Sequence, residues 1–423
     1  MEMTKYKLDD LCRIASSKRI FESEYVDQGI PFIRGQEISD GSILDPKASF
    51  ECYISQDRYE EIKEKYGKPS KGDILITAVG TIGNLCYLDK DIDFYFKDGN
   101  VIWFSEIIPS CEGKFLFHFM KSSFFKAQLK YFMIGAVQKA LTIDMLKKVE
   151  VPLPSLPEQK KIASVLSALD NKIALNKKMN QKLEAMAKRL YDYWFVQYDF
   201  PDKNGLPYKT TGGPMTYNPI LKREIPAGWE VSSFIDFGFF KNGINYDKNE
   251  VGDETVKIVN VRNISDSTTY FNIDELDDIT LKSDDIQKFV ATPKDILLAR
   301  SGSPGATRLL PQTDKKIIYC GFIIRYQLNE QDLDKQLYLF HVLKGYELVT
   351  STQSAGSILK NISQDTLNAL TVVMPQSSVL DAFNKRITPI YSMLRKNISE
   401  LNKLTTLRDR LLPLLMNGQV IVD

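Results

Sequence analysis

Catalysis needs acids, bases and ligands at close spacing, and the candidates in this chain are few. Its only two histidines, His118 and His341, sit in matching aromatic runs, FLFHFMK (Phe115 to Lys121) and YLFHVLK (Tyr338 to Lys344). A histidine so placed is either a general base or ligand, or a buried hydrogen-bonding link between packed elements. The repetition and the aromatic neighbours favour the link. Gly67-Lys68 and Gly113-Lys114 are followed by proline and phenylalanine, so neither completes a phosphate-binding GxxxxGK[ST] loop. No Pro-Pro dipeptide occurs, which removes the [DNS]PP[YFW] motif of amino-methyltransferases, and no group of Asp, Glu and Lys has nuclease spacing. The five cysteines, Cys12, Cys52, Cys86, Cys111 and Cys320, form no CxxC pair, against both a zinc site and a disulfide framework. No catalytic residue and no metal ligand is expected.

What recurs instead is a polar loop behind a strand. KGDILITAVGTIG (Lys71 to Gly83) is matched by PKDILLARSGSPG (Pro293 to Gly305). Thr77 and Thr81 dress the first loop, and Arg300, Ser301 and Ser303 the second. A second repeated loop holds Gln138 and Lys139 in one copy and Lys360 in the other. Arg34 in one copy, and Arg262 with Asn263 in the other, follow a repeated strand. Hydroxyls, amides and guanidinium groups at strand ends suit DNA phosphates and base edges, where arginine reads guanine. A tight turn explains the glycines equally well, so the side chains carry the DNA-binding expectation.

These loops need a frame, and the frame is written twice. From Ile162, steps of three and four residues give Leu166, Leu169, Ile173, Asn176, Asn180, Leu183, Ala187, Leu190 and Trp194, the seam of one helix over Pro157 to Phe195. The same rhythm runs from Leu380 through Phe383, Ile387, Ile390, Leu394, Asn397, Leu401, Leu404, Arg408 and Leu411. The two seams superpose at an offset of 221 residues, the difference between positions 176 and 397. A stripe roughly 50 Å long needs a partner of similar length, so the helices are expected to pair antiparallel. Asn176 and Asn397 are then register-setting amides, or face solvent at a frayed seam. Arg408 interrupts its seam opposite Ala187 and either snorkels or meets an acid. Ahead of each helix lies a β-rich domain with shared anchors: PFIRGQEISD matches VKIVNVRNISD (Val256 to Asp266), and the two histidine runs match. Lys114 to Lys130 is expected as one core-packed helix. Asp199 to Glu230, dense in Pro and Gly and without periodicity, is expected as an irregular connection.

Composition sets the bounds. The chain has 423 residues, 43% of them apolar, with a net charge of +1, which suits two or three globular domains. The near-neutral total hides segregation. Lysines crowd the first long helix, whereas Gly252 to Asp285 is acidic, and a local basic face governs phosphate contact more than the total does. Those lysines also fit the solvated side of a helix. No stretch is long and apolar enough to span a membrane, and MEMTKYKLDD lacks a signal core, so a cytoplasmic location is expected.

PLPSLPEQKKIASVLSALDNKI, the DFPDKNGLPYKTTGGPMTYNP and REIPAGWE connector, and the GDIL-like strands with GTIG and GSPG loops together resemble the specificity subunit of type I restriction-modification systems. The resemblance covers essentially the whole chain. It implies an α+β fold: two pseudo-symmetric mixed α/β target-recognition domains joined by two long antiparallel helices forming a coiled coil. The expected boundaries are 1–154 for the first domain, 155–197 for its helix, 198–228 for the connector, 229–375 for the second domain and 376–423 for its helix. It further implies that each domain reads half of a bipartite double-stranded DNA site and that the helices set the gap. Partners would be two modification subunits, which bind S-adenosylmethionine and methylate adenine, and motor-nuclease restriction subunits. The chain itself would carry no cofactor. A different class, a coiled-coil scaffold whose β domains bind protein, predicts salt-insensitive binding and no DNA affinity. A single-chain methyltransferase or nuclease would need motifs that this sequence lacks.

Overall fold

The computed structural model describes residues 2–45, 48–133, 140–246, 252–353 and 361–422. The fold divides into two units, Met1–Ala174 with Lys403–Asp423, and Leu175–Asn402. Each long helix is therefore shared between them.

In the first unit, Thr4–Lys7 pairs antiparallel with Glu150–Leu153, closing the domain just before the first long helix. An antiparallel sheet runs in the order Arg13–Ala15, Val101–Ser105, Ile74–Thr77, Leu85–Tyr87. A second sheet orders Tyr25–Val26, Tyr53–Ile54, Ile30–Ile33 and Tyr95–Phe96, the last pair parallel. The central strands are buried on both faces, so ILIT (Ile74–Thr77) and VIWFS (Val101–Ser105) read as continuous rather than alternating apolar runs.

The second unit repeats this plan. Glu230–Ser233 pairs with Thr371–Met374, and the antiparallel sheet orders Gly238–Asn242, Ile323–Leu328, Ile296–Ala299 and Thr307–Leu309. Its other sheet orders Asp277–Leu281, Glu254–Val259 and Ile317–Tyr319, the last pair again parallel. The duplicated anchors in the sequence are thus a duplicated topology.

The long helices run Leu156–Tyr191 and Ser377–Met416. The first opens with Glu158 accepting from the Ser155 backbone N–H and hydroxyl. Gln159, fully buried, accepts from Glu112 N and donates to the carbonyls of Ser110 and Pro154. Leu380 takes the place of Gln159 in the second helix and is simply buried. The helices pair antiparallel inside each unit. In the first, Lys161 reaches the carbonyl of Val422 while Asp170 meets Arg408, and Ile162 and Leu166 pack with Leu415 and Met416. In the second, Leu183, Ala187, Trp194 and Phe195 share a core with Leu380, Phe383, Ile387, Ile390 and Leu394. Arg408 meets an acid, the second of the two outcomes open to it.

Asn176 is buried and Asn397 half-buried, but no hydrogen bond joins them among the described residues, and Asn176 Nδ2 has no partner there.

Two local expectations are corrected. Lys114 to Lys130 is two helices, Gly113–Lys121 and Ser123–Phe132, because Ser122 turns extended and its hydroxyl caps Phe125 N at 3.2 Å. The connector contains an antiparallel hairpin, Met215–Asn218 with Arg223–Pro226. Asn218 Oδ1 accepts from Ile220 N and Leu221 N, and Lys222 adopts a left-handed φ of 52°, so the turn is built by an Asx bond that has no periodic signature.

Candidate nucleic-acid interface

The two strand-end loops are built alike. Gly83 N donates to Thr77 O and Gly305 N to Ala299 O, each at 2.9 Å. The turn places Gly80 and Gly83 at φ 74° and 92°, and Gly302 and Gly305 at 78° and 87°. A Cβ at Gly80 or Gly83 would meet nothing within 4 Å. These glycines are there for left-handed backbone rather than for close approach. One residue further along, Ala78 N and Arg300 N bond to Asn100 O and Phe322 O, and their own carbonyls accept from Leu141 N and Ile362 N. The loops are therefore held from both sides.

Beside each loop stands a five-residue helix, Gly35–Ser39 or Val261–Ser265. Its last residue bonds the loop hydroxyl: Ser39 Oγ lies 3.0 Å from Thr81 Oγ1, and Ser265 Oγ donates to Ser303 Oγ at 2.9 Å. In the first copy Asn84 Nδ2 also donates to Ser39 Oγ. Ser39, Thr81 and Asn84 are exposed, as is Ser265, with Ser303 half-buried. The result in each unit is a small exposed polar cluster on a rigid strand end.

The remaining candidates divide. Thr77 is fully buried; its hydroxyl donates to Thr81 O and accepts from Asn84 N, so it closes the turn instead of facing outward. Asn263 is likewise structural, its Oδ1 accepting from Asn260 N at the start of the short helix. Glu37 does the same for Arg34 N in the first copy. Arg34 is half-exposed, with Nη2 on Cys52 Sγ at 3.0 Å and Nη1 3.7 Å from Glu51. Arg262 is exposed and pairs with Asp277. Arg300 and Ser301 are half-buried in the second loop. Gln138, Lys139 and Lys360 lie outside the described residues. Sequence reasoning missed Ser39, Asn84 and Ser265. The signal available was the shared Ile-Ser-Asp that ends each short helix.

Each histidine links its domain to a long helix. His118 Nε2 lies 3.1 Å from Ser167 Oγ, and His341 Nε2 lies 2.9 Å from Tyr391 OH, with the His341 ring stacked on Tyr191 at 5.0 Å. Burial lowers the His118 pKa to about 4 and the His341 pKa to about 3. Both are neutral links rather than bases poised near neutrality. Burial opposes the Asp170 charge, but Lys121 at 2.8 Å and Arg408 at 3.2 Å hold its carboxyl below the ordinary range.

A pH dependence follows. A histidine depressed from 6.5 to about 3 leaves the unfolded chain binding the extra proton as pH falls below 6.5, so stability is full above that value and declines toward acid. The loss is about 1.4 kcal/mol per pH unit for each such histidine. Denaturant unfolding at pH 7 and pH 5 should show a smaller acid loss in His341→Gln, by roughly 2 kcal/mol. An identical loss in both proteins would remove His341 from the account.

Among the described residues no cluster of three or more His, Cys, Asp or Glu suits a metal, and no helix is long and apolar enough to cross a membrane. Residues 1–185 match the family of type I restriction modification DNA specificity domains. The type I restriction enzyme MjaIX specificity subunit of Methanocaldococcus jannaschii is 26% identical over 99% of this chain and 93% of its own length. Over nearly its whole length, then, the chain is similar to type I specificity subunits. The HindI specificity subunit of Haemophilus influenzae is 23% identical, covering 98% of this chain and 99% of that one. The crystal structure of the type I system S subunit from M. genitalium shares the fold, with a TM-score of 0.59 at 15% identity, over 100% of this chain and 97% of that one. The hydroxyl clusters are thus equivalent features of the two copies of a duplicated fold.

Proposed function

We propose that this chain is a type I specificity subunit that reads a bipartite DNA sequence, one half with each unit, and that the paired long helices set the number of base pairs between the halves. The observation that supports this best is the duplication of the loop itself: Ser39 with Thr81, and Ser265 with Ser303, stand at equivalent strand ends of two copies of one topology. Exposed hydroxyls and an amide next to Arg34, Arg262 and Arg300 suit phosphate positioning and base-edge contacts. The chain performs no chemistry. It recruits two modification subunits, which hold S-adenosylmethionine and methylate adenine, and the restriction subunits, in the cytoplasm. With a net charge of +1, much of the phosphate grip comes from these partners, and binding by the assembled complex falls steeply as salt rises.

The test is single-molecule methylome sequencing of cells expressing this chain with a cognate modification subunit, against cells lacking the chain. New N6-methyladenine at one bipartite motif is expected. If the complex assembles and no motif appears, salt titration of DNA binding decides the matter: salt-insensitive or absent binding overturns the DNA reading in favour of a protein-binding scaffold.

A further inference from the structure

The two units differ where the histidine helix meets the long helices. In the first unit, Lys121 and Arg408 converge on Asp170 at 2.8 and 3.2 Å, beneath His118, and this ionic cluster lines a cavity of about 300 Å³. The second unit keeps the histidine and the lysine, as His341 and Lys344. At the 221-residue offset between the helices, however, Tyr391 stands for Asp170, and Ala187 for Arg408. Removing the guanidinium leaves space. The cavity there is about 670 Å³, roughly twice that of the first unit and within the range of small-molecule sites.

Its walls are apolar: Leu183, Ala187, Ile390 and Leu394 from the two helices, with the rings of Tyr191 and Tyr391. Among the described residues its charges have ionic partners, except Glu184 and Lys344. Arg308 pairs with Glu347 at 3.1 Å, Lys188 with Asp192, and Glu184 accepts from the Thr268 hydroxyl. Lys344 has no counterpart of Asp170, because Tyr391 stands at the equivalent position. Its ammonium donates to the Thr268 carbonyl at 3.0 Å and makes no salt bridge among the described residues. Burial pushes its pKa down, partly offset by the more distant Glu184 and Glu347 and reinforced by Arg308. An ammonium has three donors, so two remain for an incoming group.

We propose that this cavity is a binding site for a small organic acid with an apolar, ring-bearing body, its carboxylate on Lys344 and its ring between the two helices. A carboxylate supplies the charge that Asp170 supplies in the first unit, and the body fills the volume that Arg408 fills there.

The experiment uses the purified full chain with phenylacetate and indole-3-acetate as probes, and 2-phenylethanol and phenethylamine as uncharged and cationic counterparts. Binding is read by saturation-transfer NMR and calorimetry, and folding by circular dichroism melting. The acids are expected to bind at least about tenfold more tightly than 2-phenylethanol, the scale of one charge-assisted hydrogen bond. Ala187→Leu, or Ala187→Arg copying the first unit, should abolish binding by filling the space. Lys344→Met should leave the acid and the alcohol equal. Absence of binding at millimolar probe, equal binding of acid and alcohol to the unaltered chain, or undiminished binding in a folded Ala187 variant would each overturn the proposal.

Discussion

Phe383→Ala is expected to cost about 3–5 kcal/mol of the second unit's stability, the range for emptying a large aromatic site in a core. Phe383 is fully buried near the start of the second long helix. Its ring meets Phe195 edge-on at 4.8 Å and Trp194 at 5.8 Å, both from the end of the first long helix. Those two rings sit in the five-residue π turn Asp192–Val196, so their backbone is fixed by its own hydrogen bonds and collapses poorly into a void. The same cluster continues through Phe195 to Tyr338 and Trp229, tying the helix pair to the sheet it carries. Because two units need not unfold together, the right observable is local. Trp194 and Trp229 both belong to the second unit, while the remaining tryptophan, Trp103, belongs to the first. Urea unfolding followed through Trp194 and Trp229 in a Trp103→Phe background isolates the transition. Met393→Ala, on the exposed side of the same helix, should stay within about 0.5 kcal/mol of the unaltered chain. Equal effects of the two substitutions would mean that the aromatic cluster does not hold this unit together.

The helical frame was legible because a seam of apolar residues at three- and four-residue steps has one physical solution, a partner helix of equal length, and the chain contains only one candidate. The duplication was legible for a related reason. A buried strand such as ILIT or ILLA is constrained at every position, so two copies still look alike when their exposed loops have diverged. Errors fell where one residue overrules a periodic pattern. Ser122 breaks an aromatic run that reads as a single helix, because its hydroxyl caps better than its backbone extends. Asn218 folds a stretch without periodicity into a hairpin. In the loops, residue type did not show which side chains face outward. Thr77 and Asn263 are polar, yet the side chains of both complete backbone hydrogen bonds. Ser39 and Asn84 belong to the cluster through contacts 42 and 45 residues apart in sequence, a relation that no local spacing encodes. Arg408 lay between these cases. An arginine in an apolar seam requires an acid or an escape to water, and only the fold shows that Asp170 supplies the acid.

Lengthening both long helices by four residues, after Lys178 in the first and at the matching position after Ser399 in the second, is expected to change the gap between the half-sites and leave the half-site sequences unaltered. Four residues add about 6 Å of helix, or one to two base-pair steps of about 3.4 Å. The same number is close to one helical turn, so seam residues beyond the insertion return nearly to the face they occupied, with a slight local unwinding. Lengthening both helices matters. An insertion in one alone would slide Ile173 and Leu183 past their partners and set the cost of a broken seam against any change in spacing. The outer face of this stretch carries Lys177, Lys178 and Lys182, all exposed, so the added turn displaces no core residue. The recognition loops stay untouched, since Ser39, Thr81, Ser265 and Ser303 lie on strands and short helices outside the lengthened segments. Methylome sequencing of cells carrying the lengthened subunit and its modification partner reads both quantities at once. A longer gap between unchanged half-sites is the expected result. Unchanged spacing, in a complex shown to assemble and methylate, would mean that the DNA gap is set somewhere other than in these two helices.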